Sequence, residues 1–254
     1  MKKLLLSLTV TGLLSTGIAQ ATEDRDQRSR HHNGCHELPS FNDVTNALKD
    51  VVADDANGFN LHMWATVVDR DGIVCSVSRT GGDRDDQWPG SRAISAQKAN
   101  TANAFSLPGL SLSTANLYVA VQPGGSLFGL QHSNPVDTKN AYRGPSKKYG
   151  HKNDPLVGRK IGGVNVFGGG LALYDEYGEI LGAVGVSGDS SCRDHIIAWK
   201  LRDALELDNV PAGVSLTGDD NMVQDLTYGF GHPSCGNGEE GPISDLPTSH
   251  PTGS

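Results

Sequence analysis

Residues 162–194 read GGVNVFGGGLALYDEYGEILGAVGVSGDSSCRD, and this stretch decides how the chain folds. Its apolar runs predict a strand over residues 171–175 and a second strand over residues 179–187. The turn Asp-Glu-Tyr-Gly connects them, so the two strands are predicted to pair as an antiparallel hairpin. A helix is predicted to begin near Ser191, directly after the second strand.

Glycine is unusually frequent in this stretch. The lead-in to the first strand contains Gly168 and Gly169, and every third residue from Gly182 through Gly185 to Gly188 is a glycine. A glycine inside a strand usually marks a place where another backbone or a ligand comes very close. We therefore expect a helix, a partner subunit or a flat ligand to pack tightly on the second strand.

The chain begins with two lysines, an apolar run over residues 4–18 and the sequence Ala19-Gln20-Ala21. This order is typical of a secretory signal peptide that is cleaved after Ala21. The apolar run is shorter than the about 20 residues of a spanning helix, which argues against a membrane anchor. We expect an exported protein of 254 − 21 = 233 residues, periplasmic or secreted, that has no membrane contact after cleavage.

Composition and charge narrow the class of protein. The formal net charge is −8 and no run of Lys or Arg occurs, so a nucleic-acid partner is not expected. The 32 glycines and 6% aromatic residues indicate a loop-rich α+β protein with a modest core. Residues 22–40 and 209–254 are predicted to be polar extensions, the second with a disordered end after about Gly241. The domain between them, residues 41–208, contains a long irregular excursion over residues 107–161.

Four cysteines in an exported chain predict two disulfides, for which three pairings are possible. Cys35 and Cys235 both lie in the polar extensions, whereas Cys75 and Cys192 lie in the predicted core. On that basis we predict the pairs 35–235 and 75–192.

Two helices and one more hairpin are predicted before the excursion. An apolar repeat predicts a helix over residues 41–56, and the sequence DRDG at residues 69–72 turns a hairpin. A second helix, over residues 92–105, carries Lys98 and Thr101 on an otherwise apolar line. In one interpretation the Lys98 ammonium extends to solvent at the edge of the helix, while the Thr101 hydroxyl hydrogen-bonds to the backbone of its own helix. In the other, both side chains face a functional site.

The last helix of the domain is predicted over residues 192–207. At 100° per residue His195 lies on a different surface from Ile197, which belongs to the apolar stripe. Asp194 lies in the first turn, where a carboxylate complements the helix dipole. It is equally placed to orient His195 or to pair with Lys98, and the sequence leaves these alternatives open.

Three elements in this order resemble the GlcG/HbpS family of haem-binding proteins. They are KANTANAF at residues 98–105, GGV at residues 162–164 and GEILGAVGVSG at residues 178–188. The resemblance extends over about residues 41–207, and it does not include the two extensions or most of the excursion.

The resemblance implies a profilin-like fold, in which helices pack on an antiparallel sheet of about five strands. It also implies a homo-oligomer that binds haem or a related tetrapyrrole near a subunit surface. Lys98 and Thr101 stand in the family motif, so they are candidate ligand-binding residues. To these we add His195 as a candidate iron ligand, because it lies beside the glycine-rich loop. The same neighbourhood contains the further candidates Asp194, Gly168 and Gly169.

Three functions remain open at this point. The first is an exported haem-binding protein that serves in haem storage, sensing or slow oxidative breakdown. The second is a structural or partner-binding oligomeric module without a ligand. The third is an enzyme that uses Lys98, Asp194 and His195 for acid–base chemistry, which requires these side chains to lie within hydrogen-bond reach of each other.

Overall fold

The structure is a computed structural model, and it describes residues 34–253. The predicted signal peptide and residues 22–33 of the N-terminal extension lie outside the described residues.

The described residues form one antiparallel sheet of four strands. These are β1 (Trp64–Asp69), β2 (Val74–Arg79), β3 (Gly170–Tyr174) and β4 (Ile180–Ser187), in the order β2-β1-β4-β3. The α+β class is therefore confirmed. The predicted count of about five strands is one too high for residues 34–253, because the excursion contributes short helical turns and isolated bridges instead of another strand.

Both predicted hairpins are present, and the same local chemistry builds their turns. In the first turn, the Asp69 carboxylate accepts hydrogen bonds from two backbone amides, and Gly72 has a φ of 74°. In the second, Asp175 accepts two amide hydrogen bonds in the same way and Gly178 also has a φ of 74°. An aspartate that bonds its own turn and a glycine at positive φ explain why the two sequences share one pattern.

Four longer helices accompany the sheet: α1 (Phe41–Ala53), α2 (Ser91–Phe105), α3 (Ser191–Ala204) and α4 (Glu240–Ser249). The helices α1 and α3 share a core with the strand residues Ala65 and Val67. The alternate strand residues Trp64 and Val68 share a second core with the alanines of α2. Because successive strand residues point to opposite faces, the sheet lies between α2 on one side and α1 with α3 on the other.

The glycines of β4 allow backbone segments of this chain to come very close. A Cβ atom at Gly185 would lie 2.0 Å from the Ser95 carbonyl oxygen of α2. At Gly182 the nearest atom would be the Val68 oxygen of β1, also at 2.0 Å. The tight packing expected from the sequence is therefore present, and for Gly185 its partner is a helix.

The disulfides join Cys35 to Cys75 and Cys192 to Cys235, so the predicted pairing is wrong. A short 3-10 helix, Gly34–His36, brings Cys35 against the β1–β2 hairpin that contains Cys75. The C-terminal extension returns to the start of α3, where Cys235 meets Cys192. Each extension is therefore linked by a disulfide to the domain, and neither is linked to the other extension.

Residues 107–161 and the C-terminal extension are ordered around buried contacts. The Arg92 guanidinium of α2 forms an ion pair with Asp154, with 2.9 Å between Nε and Oδ2. The disordered end predicted after Gly241 is wrong, because α4 buries Ile243 and Leu246 in the core.

Within residues 34–253, no helix combines the length and the apolar character needed to cross a bilayer. The short helical segments of the excursion are Thr114–Leu117, Tyr118–Val121, Leu130–Ser133, Thr138–Ala141 and Ser146–Lys148.

Candidate functional site

A buried ion pair between Lys98 and Asp194 joins α2 to the start of α3. Lys98 Nζ lies 2.6 Å from Asp194 Oδ2 and also donates to the Val186 carbonyl oxygen at 2.9 Å. The other carboxylate oxygen of Asp194 accepts hydrogen bonds from the backbone amides of Gly188 and Asp189. Lys98 is 1% exposed and Asp194 is 2% exposed. The structure thus selects one of the open alternatives: Asp194 is the partner of Lys98.

Burial shifts the protonation equilibria of both partners toward their neutral forms. It raises the pKa of Asp194 to about 6, against the opposing effect of the Lys98 charge. It also lowers the pKa of Lys98, which the charge of Asp194 opposes. The pair therefore has an acidic group that titrates close to neutral pH, as groups that transfer protons do.

The ion pair lies at a surface pocket of about 280 Å³. We call this the Lys98 pocket, and its lining includes Trp88, Ile94, Phe167 and Ser191 besides the ion pair. Trp88 is 52% exposed and Phe167 is 48% exposed, so both present aromatic surface to solvent. The pocket therefore combines exposed aromatic side chains with a buried, titratable pair.

Thr101, Gly168 and Gly169 support the pocket without lining it. Thr101 Oγ1 donates to Gln97 O at 2.8 Å and accepts from Asn165 N at 3.0 Å, which holds the lead-in to β3 against α2. The Gly168 amide donates to Ser191 Oγ at 2.7 Å. Gly169 has a φ of 108°, and a Cβ there would lie 2.5 Å from Val186 O. Their roles in ligand binding stay predictions.

His195 is fully buried and bonds to the C-terminal extension. Its Nε2 lies 3.2 Å from both Asn221 Oδ1 and the Met222 amide nitrogen, and its Nδ1 has no partner among the described residues. Among the described residues His195 has no hydrogen bond to Lys98 or Asp194, so hydrogen bonds join only two of the three residues of the proposed acid–base group. As an iron ligand His195 stays a prediction, and its nitrogens are closed to solvent in this arrangement.

A comparison with protein-family models matches residues 41–202 to the family described as haem degrading protein HbpS-like. The chain belongs to this HbpS-like family. The match covers well over half of the sequence and confirms the resemblance found from the motifs around Lys98 and Gly185.

Solved structures similar to this HbpS-like chain were also found. The Klebsiella pneumoniae protein ORFY is 26% identical, with 65% of this chain and 86% of that chain covered and a TM-score of 0.44. A PduOC:haem complex is 23% identical, with coverage of 65% and 91% and a TM-score of 0.45. A double mutant of Streptomyces reticuli HbpS is 19% identical, with coverage of 65% and 83% and a TM-score of 0.42. A comparison with curated protein sequences found no match.

Sequence reasoning missed two residues that line the Lys98 pocket and one that contacts its lining. Trp88 and Phe167 lie in glycine-rich loops, where no periodicity marks them. His232 lies in the C-terminal extension. Its Nε2 is 2.8 Å from Ser191 Oγ, and its Nδ1 is 2.7 Å from Pro233 O. Burial lowers the pKa of His232 to about 4, so the ring is neutral near pH 7. The sequence signal that was available was a tryptophan between charged and turn-forming residues, DDQWPG at residues 85–90.

A group of potential metal ligands lies elsewhere in the described structure, and its chemistry does not suit a metal. Cys35, Asp69 and Cys75 are close enough to share an ion. The two sulfurs are bonded to each other, however, and a disulfide sulfur is not the thiolate that binds metals.

His195→Gln is expected to reduce the pH dependence of stability. Burial lowers the pKa of His195 from 6.5 to about 4, so its contribution is present above pH 6.5 and is lost as the pH falls through 4. The share of one such histidine is about 3 kcal/mol. Asp194 acts in the opposite sense: its contribution is present below pH 4 and is lost as the pH rises through about 6.

The measurement is urea unfolding of both proteins at a series of pH values from 4 to 7. The wild-type free energy of unfolding should rise more steeply with pH than that of His195→Gln. The exposed His132→Gln variant is the control and should keep the wild-type slope. Parallel curves for wild type and His195→Gln would show that the buried imidazole does not cause the dependence.

Proposed function

We propose that this chain is an exported protein that binds haem or a related tetrapyrrole in the Lys98 pocket. The observation that carries the proposal is the position of the family-motif lysine. Lys98 forms a buried ion pair with Asp194 in a pocket that is also lined by two exposed aromatic residues, Trp88 and Phe167. The family description as haem degrading protein and the haem in one similar structure support the same ligand class.

The lining of the pocket suits one edge of a flat aromatic ring. Its volume of about 280 Å³ is just below the range of about 300–1,000 Å³ of sites that enclose small ligands. We propose that Trp88 and Phe167 stack on the ring, because aromatic faces favour offset or edge contacts with one another. Haem bound there would supply a redox-active iron. The Lys98–Asp194 pair would hold a proton next to the ring.

The pocket lining contains no histidine, methionine, cysteine or tyrosine, the usual protein ligands of haem iron. We propose that ring contacts give most of the affinity in the described arrangement, and that the iron is reached from outside the pocket. A ring bound by one edge leaves its other edge exposed, which favours a second copy of the chain covering it. This supports the expected homo-oligomer.

Export is proposed on two observations. The N-terminal sequence has the pattern of a signal peptide, and both disulfides in the described residues fit an oxidising compartment. The role after export, whether storage, sensing or slow oxidative breakdown, follows from whether bound haem persists or is consumed.

The test is a haemin titration of the purified mature chain, followed by the Soret absorbance. We expect a saturable Soret shift, and we expect Trp88→Ala and Phe167→Ala each to weaken binding by about 5- to 10-fold. Tyr177→Ala is a matched control, since Tyr177 is 81% exposed on the turn between β3 and β4. An unsaturable titration, or equal weakening by all three changes, would remove haem from this pocket.

The same titration evaluates His195. Wild type and His195→Gln should give the same Soret maximum if His195 is not the iron ligand. A displaced maximum in His195→Gln would assign the iron to His195, and it would require the C-terminal extension to move away from that ring.

A second function is favoured by the Lys98–Asp194 pair, which lines the pocket and in which burial raises the pKa of Asp194 to about 6. We infer that an enzyme working through proton transfer would use Asp194 as the acid or base and Lys98 as its charge partner. Haemin titration at several pH values distinguishes the two functions, because the hypothesis of an enzyme without haem predicts no Soret shift at any pH. The remaining hypothesis, a structural or partner-binding module without a ligand, also predicts no Soret shift. It further predicts that Trp88→Ala changes the oligomeric size measured by size-exclusion chromatography.

A further inference from the structure

The described residues bury five cationic side chains, and four of them have an aspartate partner. Lys98 pairs with Asp194, and the other three pairs are Arg92–Asp154, Arg193–Asp55 and Arg202–Asp220. This regularity has a physical cause, because an unpaired charge is costly to bury and buried charges are therefore paired. The fifth buried cation is Arg79, which is 8% exposed.

Arg79 has no carboxylate within 4.0 Å among residues 34–253, in contrast to the other four. Its Nη1 donates to the Gly81 carbonyl oxygen at 2.6 Å, and its Nη2 lies 3.5 Å from His151 Nε2. Its Nε is buried without a partner. A guanidinium stays protonated at all accessible pH values, so Arg79 retains its charge. The site therefore has a buried positive charge and unused donors.

Arg79 is one of the residues that line a second pocket, with a volume of about 410 Å³. We call this the Arg79 pocket. Lys147 also lines it; it is exposed, and its side chain has no hydrogen bond or ion pair with any of residues 34–253. His151 lines the pocket next to Arg79. Arg84 is neutralised by its own ion pair with Asp85 at 2.7 Å. The lining shares no residue with the Lys98 pocket, although the loop of residues 81–90 contributes to both.

We propose that the Arg79 pocket binds an oxyanion, namely the carboxylate or phosphate group of a small molecule. Arginine presents its donors in a planar fork that matches both groups and allows two parallel hydrogen bonds. Lys147 adds a second, exposed positive charge to the lining, and the anion completes the pairing that the four other buried cations find within the chain. The proposal does not depend on haem binding in the Lys98 pocket.

Asp83 sets the strength of this site. Its side chain lines the pocket and accepts a hydrogen bond from the Asp85 amide. Its negative charge repels a bound anion, so we expect a low affinity for a monoanion. Neutralising Asp83 should raise that affinity. Asparagine keeps the oxygen that accepts the Asp85 amide, so Asp83→Asn changes the charge with little effect on the loop.

The experiment is isothermal titration calorimetry of the full mature chain with inorganic phosphate and, separately, with acetate. We expect saturable binding of at least one anion, with a Kd of about 1 mM that rises with added sodium chloride. Binding of phosphate alone would assign the phosphate class, and binding of both with acetate tighter would assign the carboxylate class. Wild-type protein that binds neither anion saturably would overturn the proposal.

Matched lysine variants locate the site. Lys147 and Lys148 are neighbours in the turn Ser146–Lys148 and both are exposed, but only Lys147 lines the pocket. Lys147→Ala is expected to weaken anion binding by about 5-fold and Lys148→Ala by less than about 2-fold. Equal effects would show that diffuse surface charge, and not the pocket, attracts the anion.

Two further variants test the roles of Arg79 and Asp83. Arg79→Lys preserves the charge and removes the planar fork, so binding should weaken by about 10-fold if two parallel hydrogen bonds hold the anion. Asp83→Asn should strengthen binding by about 3-fold. Because these two changes move affinity in opposite directions, misfolding of one variant cannot imitate the result. Unchanged affinity in Asp83→Asn, with its circular dichroism spectrum intact, would contradict the placement of the anion beside Asp83.

Discussion

Lys98→Met is expected to lower the free energy of unfolding by about 3–5 kcal/mol at pH 8, the cost of leaving a buried charge without its partner. Methionine fills a similar volume, so the loss reflects the missing charge more than a cavity. Asp194 would keep its bonds to two backbone amides, but it would lose its closest charged contact, the Lys98 ammonium at 2.6 Å.

The loss should be smaller at pH 5. Without the opposing charge of Lys98, burial raises the pKa of Asp194 beyond its value of about 6. A carboxyl group whose pKa is raised in the folded state contributes stability below its unfolded pKa, and that contribution is lost as the pH rises through the folded pKa. The variant can therefore protonate Asp194 at pH 5 and avoid an unpaired charge, whereas at pH 8 it cannot.

The measurement is urea unfolding at pH 5 and pH 8, followed by the fluorescence of the buried Trp64 and Trp199. Lys49→Met on the exposed side of α1 is the control, and it should change the free energy of unfolding by less than about 0.5 kcal/mol. The double variant Lys98→Met with Asp194→Asn should be more stable at pH 8 than the sum of the single losses predicts. Equal losses at both pH values, or additive losses, would contradict the account of the pair.

The local parts of this fold were predictable because their signals lie in neighbouring residues. Each hairpin has an aspartate that bonds its own turn and a glycine at positive φ, and both features are visible in the sequences DRDG and DEYG. The capped α1 follows from Ser40, whose hydroxyl accepts the Asp43 amide. Lys98 was recognised as out of place on an apolar helix face, and the structure explains it by a partner 96 residues away.

The parts that were not predictable depend on contacts between distant segments. The cysteine pairing followed from the path of the extensions, since Cys235 returns to the start of α3 while Cys35 packs on the β1–β2 hairpin. The helix α4 has few apolar residues and contains Pro247, but burial of Ile243 and Leu246 stabilises it. Tertiary packing overrides weak local preference in this way, as it does for most helices.

Only some of the residues that line the Lys98 pocket were predictable from the sequence. Both members of its buried pair were candidates from the sequence, Lys98 from the family motif and Asp194 from the start of α3. Its exposed aromatic side chains, Trp88 and Phe167, come from two loops that carry no periodic pattern. Binding residues on loops are positioned by the scaffold beneath them, so a sequence shows their chemistry without showing where they meet.

Gly185→Ala is expected to prevent stable folding or to lower the free energy of unfolding by at least about 3 kcal/mol. The added Cβ would lie 2.0 Å from Ser95 O and 2.4 Å from Ala99 N, and both are backbone atoms of α2. A flexible side chain could move aside, but a helix backbone can only move as a unit. Because β4 pairs with both β1 and β3, the strand cannot retreat without breaking two ladders of hydrogen bonds.

The same substitution should also damage the Lys98 pocket, because the added Cβ would lie 3.0 Å from Lys98 Cβ. Gly109→Ala is the matched control: no atom lies within 4 Å of its added Cβ and its φ is not positive, so wild-type stability and haemin binding should persist. The measurements are urea unfolding and near-ultraviolet circular dichroism of both variants. A Gly185→Ala protein with wild-type stability would mean that α2 packs on β4 with enough freedom to admit a methyl group. The glycines of β4 would then need another explanation, with a ligand or a partner subunit as the remaining candidates.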